Sequence, residues 1–139
     1  MAQLGTRLLK LEIDAVERSA EVSNARITSG ESDSDFLTFA DAAAGGARQY
    51  NLSFTAAQDA VAATLWDLIW TGAGDEVDGT FIPYGNAVPS ATQPHYEFTA
   101  VVSEPNGDLL GGEANTSVTA RFTIDCEWKL TGKPTKLIA

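Results

Sequence analysis

The sequence predicts a mainly β fold, a β-sandwich or barrel of about seven strands with one flanking α-helix. Three observations carry that expectation. Apolar residues recur at every second position in several separate runs, the period of a strand with one face buried. One run has the three-to-four spacing of an amphipathic helix instead. Between the runs fall Gly, Pro and Asn, the residues that punctuate turns.

Residues 7–14 open the alternation, with Leu9, Leu11 and Ile13 on one face and Lys10, Glu12 and Asp14 on the other. Residues 24–28 read as a second strand, Ala25 and Ile27 inward. The polar, acidic stretch 29–35 reads as a loop or a frayed strand end. A short apolar strand is expected over 36–40, then a small, glycine-containing loop over 41–47 (DAAAGGA). Residues 48–54 alternate again, with Tyr50, Leu52 and Phe54 on one face. The two runs make a hairpin with an extended tip.

Thr55 and Gln58 match a capping box. Ala57, Val61, Leu65, Leu68 and Ile69 then share a helical face, and Asp59 lies where the helix dipole favours an acid. Gly72 supplies a C-terminal stop. The spacing predicts a helix over 56–71. Trp66 and Trp70 lie at the margin of its apolar stripe, as added buried area or as a contact surface.

Residues 77–84 read as a strand that lies at an edge or ends at Pro83, which has no backbone donor. A loop follows over 85–94. Residues 95–103 alternate, with Tyr96, Phe98, Ala100 and Val102 on one face. Glu104, Pro105, Asn106 and Gly107 form a turn, and 108–115 a second loop. The longest alternation is 116–130, where Val118, Ala120, Phe122, Ile124, Cys126, Trp128 and Leu130 fall on one face. One strand of that length spans about 45 Å at roughly 3.3 Å per residue, which suits a wide sheet or a partner subunit. Residues 131–139 have no period and read as an arm or a loose end.

The 139 residues suit one domain. With 44% hydrophobic and 20% charged residues, the chain is expected to fold rather than stay disordered. No run of eighteen apolar residues and no leader-like segment is seen. Cys126 is the single cysteine, so no internal disulfide forms, which fits synthesis in a reducing cytoplasm.

Charge separates the function classes best. Nineteen acids face nine bases, a net charge of -10. Between Arg48 and Arg121 there is no lysine or arginine, yet nine acids occur there. The C-terminal end reverses the balance with Lys129, Lys133 and Lys136. Nucleic-acid binding draws on cations that replace phosphate counterions, and this chain is poorly equipped for it. An acidic wall instead lets DNA pass without adhering.

The inventory argues against an enzyme. His95 is the one histidine, which excludes a histidine-based metal cluster, and it reads as structural or solvent-facing. Cys126 lies on the apolar face of its strand and reads as core. No nucleophile motif of the G-x-S-x-G kind occurs. Glu31, Asp33 and Asp35, like Glu76 and Asp78, do not match a calcium loop and read as solvated acids. Gly45-Gly46 and Gly111-Gly112 lack the lysine of a phosphate loop. No cofactor is expected.

Several runs carry a resemblance by their order along the chain. They are Val22-Ser23-Asn24 through Ser34-Asp35-Phe36, then Thr38-Phe39-Ala40 through Ala47-Arg48, and Pro83-Tyr84-Gly85-Asn86-Ala87. Asp108-Leu109-Leu110-Gly111-Gly112-Glu113-Ala114 and Glu127-Trp128 with Gly132-Lys133-Pro134-Thr135 complete the set. In these runs the chain resembles the major tail proteins of long-tailed bacteriophages with non-contractile tails, particularly those of actinobacterial hosts.

The resemblance implies a sandwich with a flanking helix, related to contractile-tail and type VI secretion tube subunits. It implies a structural virion protein of the tail, made in the host cytoplasm. Hexameric rings would stack into a hollow tube through which DNA is ejected without specific binding. Other partners would be the tape measure, terminator and distal tail proteins, with no membrane. The loop of Asp41, Ala42, Ala43, Ala44, Gly45, Gly46, Ala47 and Arg48 lies where that family grips the next ring. A C-terminal arm with Lys133, Pro134, Thr135 and Lys136 is the second contact expected.

Rings need heterologous contacts that close, and edge strands can join neighbouring sheets. Six copies would carry a charge on the order of -60 per ring. The competing readings are another tail or neck component (terminator, connector or decoration protein) and a free-standing ligand-binding β-sandwich.

Overall fold

A computed structural model describes residues 4, 5, 7–31, 36, 38–44, 48–114 and 116–139. Among the described residues there are eight strands and two helices. In chain order they are β1 (Lys10–Ile13), β2 (Val16–Glu17), β3 (Val22–Glu31), α1 (Phe39–Ala43), β4 (Arg48–Ala57), α2 (Leu65–Gly72), β5 (Glu76–Ile82), β6 (His95–Val101), β7 (Thr123–Lys129) and β8 (Thr135–Leu137). Two antiparallel sheets result: five strands in the order β2-β1-β5-β6-β8, and three in the order β3-β4-β7. The fold is the mainly β sandwich with a flanking helix that the alternation predicts. No described helix is long and apolar enough to cross a membrane.

Period-two alternation builds the core. Leu11, Ile13, Phe98 and Ala100 point inward from the larger sheet, and Leu52, Phe54, Ala56, Ile124, Cys126 and Trp128 from the smaller. Leu65 and Ile69 of α2 join them. Trp128 is completely buried and meets Phe54 edge-on, ring centroids 4.9 Å apart at 90°, the arrangement ring quadrupoles favour. Its indole N–H donates to Ser103 O at 3.1 Å, so this buried donor is paired. At Gly79 a Cβ would lie 2.4 Å from the Phe98 ring and 2.8 Å from Glu12 O. The missing side chain is what leaves room for that ring beside β5.

The sheets meet at one corner. Leu130 pairs with Ala100, and Thr131 N donates to Thr99 O at 2.9 Å. The chain thus leaves the smaller sheet at the end of β7 and attaches to β6. The β1–β2 turn holds Asp14 and Ala15 at φ 54° and 62°, the conformation of a two-residue hairpin whose twist matches its strands.

A buried ion pair anchors α2. Arg18, 6% exposed, donates through Nη1 to Glu21 Oε2 at 3.1 Å and to Ala63 O at 2.7 Å. The other Glu21 oxygen accepts from Leu65 N at 2.7 Å, an N–H that the helix itself leaves unsatisfied.

Several boundaries differ from the sequence expectation. The predicted helix over 56–71 is shorter and starts later. Thr55 and Ala57 belong to β4, and Thr64 is the N-cap, its hydroxyl accepting from Asp67 N at 3.3 Å. Gln58 makes no cap; its amide exchanges two hydrogen bonds with Gly111, at 2.8 and 2.9 Å. The reason is that β4 is a central strand. Pairing with β3 and β7 on its two sides carries Ala56 into the core and outweighs a local cap.

The long strand expected over 116–130 is only β7. Residues 116–121 pair with no strand among the described residues, because β4 ends at Ala57 opposite Thr123, and Val118 is fully exposed. The second strand is longer than expected and takes in Ser29, Gly30 and Glu31, which pair with Tyr50, Gln49 and Arg48. Residues 38–44 hold α1 and its caps instead of a strand running into a loop.

Candidate functional site

The hairpin of β3, α1 and β4 presents an unpaired strand edge and an exposed helix among the described residues. Along β3, Asn24 and Arg26 are exposed and Ala25 and Ile27 half-buried. Among the described residues the strand pairs with β4 alone, which leaves its far edge open along ten residues, about 33 Å at roughly 3.3 Å per residue. It carries no proline and no lysine, two devices that commonly blunt an edge. The opposite edge of the same sheet is partly covered: Ser103 Oγ donates to Glu127 O at 3.2 Å, and Leu130, just past β7, bridges to Ala100.

At the tip of the hairpin the sequence writes its own helix. Asp41 N donates to Thr38 Oγ1 at 3.0 Å, and Thr38 N to Asp41 Oδ2 at 3.3 Å, a complete capping box. A five-residue helix has little stability in water by itself, and none of its residues is buried. Phe39 is 96% exposed, and about 2 kcal/mol of burial stabilisation remains unused there.

The expected contact residues of the tip separate into three groups. Asp41, Ala42 and Ala43 lie in α1, and Ala44 is its C-cap. Arg48 opens β4, and its guanidinium donates to Ser29 Oγ at 2.9 and 3.3 Å, tying the base of the hairpin. Gly45, Gly46 and Ala47 lie outside the described residues.

The C-terminal expectation needs a correction. Lys133 is exposed and Pro134 half-buried, but Thr135 and Lys136 belong to β8, opposite Glu97 and Tyr96. Residues 131–139 are therefore not a free arm throughout. β6 offered an unpaired edge, and pairing there half-buries Leu137.

The outer face of the larger sheet is acidic. Register places Glu17, Glu12, Thr80, Glu97 and Thr135 in one cross-strand row. Glu12 and Glu17 stand directly opposite each other, a like-charge pairing that costs stability. Asp78 accepts from Thr99 Oγ1 at 2.6 Å on the same face. The hollow there is lined by Glu12, Asp78, Glu97 and Lys133 among others.

Both residues that the sequence singles out for chemistry lie inside. His95 is 7% exposed and donates from Nε2 to Asn86 O at 3.0 Å, in the structural role expected. Burial first, and the neighbouring Asp125 charge second, push the Cys126 thiol from 9.0 up to about 12. The thiol stays protonated in the fold. Alkylation of native protein at about pH 8.5 is expected to be much slower than that of urea-unfolded protein; equal rates would contradict the burial. Ionisation of the unfolded chain begins first, so this group's stabilisation is full below 9.0 and declines from there to about 12.

The tryptophans of α2 have different surroundings. Trp66 N–H donates to Leu109 O at 2.9 Å, while Trp70 is 50% exposed with its ring 5.4 Å from that of Trp66. The capping box at Thr38 and Asp41 is a signal that sequence reasoning missed and [ST]-x-x-[DE] supplies. No family model matches the chain, and no curated protein matches it.

Proposed function

We propose that this chain is a structural subunit of a long-tailed phage tail, one that closes into rings and stacks them into the tail tube. The observation that carries this reading is the β3–α1–β4 hairpin. Among the described residues its edge strand is open over ten residues, and its tip bears a helix that buries none of its own side chains. An open edge accepts a strand from a neighbour through main-chain hydrogen bonds, and a contact of that kind, repeated head to tail, closes a ring. The tip then reaches beyond the ring toward the next. Stacked acidic subunits give a bore that repels the DNA backbone. No catalytic step and no cofactor enter this function.

Size-exclusion chromatography with light scattering and negative-stain microscopy test the proposal. Purified protein is expected to form rings, and tubes at high concentration. Phe39→Asp should leave far-ultraviolet circular dichroism unchanged and keep rings, while reducing tube length at least tenfold. Monomers at all concentrations sink the reading. Unimpaired tubes in the Phe39→Asp protein remove the helix from the stacking contact. Rings that never stack point instead to a terminator or connector.

A further inference from the structure

We infer that Asn106 is a site of spontaneous deamidation, which adds a carboxylate to the rim of the smaller sheet's outer face. The turn after β6 places Asn106 and Gly107 in exposed, bent backbone. Neither the Asn106 amide nor the Gly107 N–H has a hydrogen-bond partner among the described residues. Glycine leaves the backbone nitrogen uncrowded and the dihedrals on either side free to turn.

The chemistry needs only water. Gly107 N loses its proton to solvent and attacks Asn106 Cγ. A carbon–nitrogen bond forms, the Cγ–NH2 bond breaks, and the amide nitrogen leaves as ammonia after taking up a proton. The resulting five-membered succinimide opens when water adds at either carbonyl, giving aspartate or isoaspartate.

The other described asparagines are held away from this path. Asn51 lies in β4, which is paired on both sides, and is followed by the bulkier Leu52. Asn24 lies in β3, with Oδ1 accepting from Arg26 Nη2 at 3.0 Å. Asn86 donates Nδ2 to Gln93 O at 3.1 Å and to Val88 O.

The new charge has a defined place. Asn106 stands with Glu104 at the edge of a groove whose lining includes Arg26, Asp125, Glu127 and Lys129. Asp108 follows two residues on. Deamidation turns a neutral member of that lining into a fourth acid beside Glu104, Asp125 and Glu127, so the face grows more negative as the protein ages.

The test is incubation of the full chain in mildly alkaline buffer, followed by intact mass and peptide mapping that separates aspartate from isoaspartate. The peptide holding Asn106 is expected to convert at least ten times faster than those holding Asn24, Asn51 or Asn86, with isoaspartate in excess. Gly107→Ala should slow conversion by about an order of magnitude. The fold tolerates that change, since nothing lies within 4 Å of the added Cβ and Gly107 has no positive φ. Asn106→Gln should abolish the fast product. Conversion led by another described asparagine, or a rate at Asn106 that Gly107→Ala leaves unchanged, overturns the assignment.

Discussion

Trp128→Ala is expected to lower the unfolding free energy by about 3–5 kcal/mol, the range for truncating a fully buried large aromatic side chain. Three losses add. The apolar area of the largest completely buried side chain returns to water or becomes a cavity. The edge-on contact with Phe54 disappears, worth about 1 kcal/mol beyond area. Ser103 O loses its indole donor. Urea titration followed by circular dichroism reads the change as a lower midpoint with little change in slope. Trp128→Phe keeps most of the volume but not the donor, and should lose roughly half as much. A loss below about 1 kcal/mol for the alanine variant would mean that the two sheets do not pack around this ring.

Glu21→Ala is the second large effect, expected to cost about 3 kcal/mol, the low end of the range for stripping a buried ion of its partner. The low end applies because the Glu21 side chain keeps 22% of its surface in contact with water, whereas that of Arg18 keeps 8%. The variant leaves the Arg18 guanidinium buried with Ala63 O as its remaining partner, and it uncaps Leu65 N at the start of α2. Replacing both residues, Arg18→Met with Glu21→Ala, removes the stranded charge and should recover part of the loss. A double variant as unstable as the sum of the single ones would show that the two groups are not coupled.

Both effects arise where local and distant residues meet, and that is also where sequence reading ran short. The alternation at Leu52, Phe54 and Ala56 overlaps the start of a helical pattern at Ala57, Val61 and Leu65. Either period can be read across residues 55–58. Partner strands on both sides of β4 decide for the strand, because main-chain pairing and core burial act together there. The alternation from Val118 to Phe122 is as regular as that from Ile124 to Leu130, yet only the second has a neighbour and a core to face. An alternating run shows which face a strand would bury; it carries no information on whether another strand lies beside it.

The candidate site divides in the same way. Of the tip read as a small loop over 41–47, residues 41–44 hold the end of α1 and its C-cap. The signal for that helix stands in the sequence at Thr38 and Asp41, since a capping box acts over four residues and needs no partner, but the reading of 36–40 as a strand passed over it. The C-terminal residues have no period, and the strand they form depends on the free edge of β6.

What the sequence determined by itself is therefore short-range or compositional: the β class, the inward face of the alternating strands, the caps of α1, and an acidic chain with one histidine and one cysteine. Only the tertiary structure decided where β4 and β7 stop, that residues 135–137 pair, and which edge stays open. The physical reason is range. Side-chain period and capping are set within a few residues along the chain, whereas a strand's length and its free edge depend on partners distant in sequence and adjacent in space.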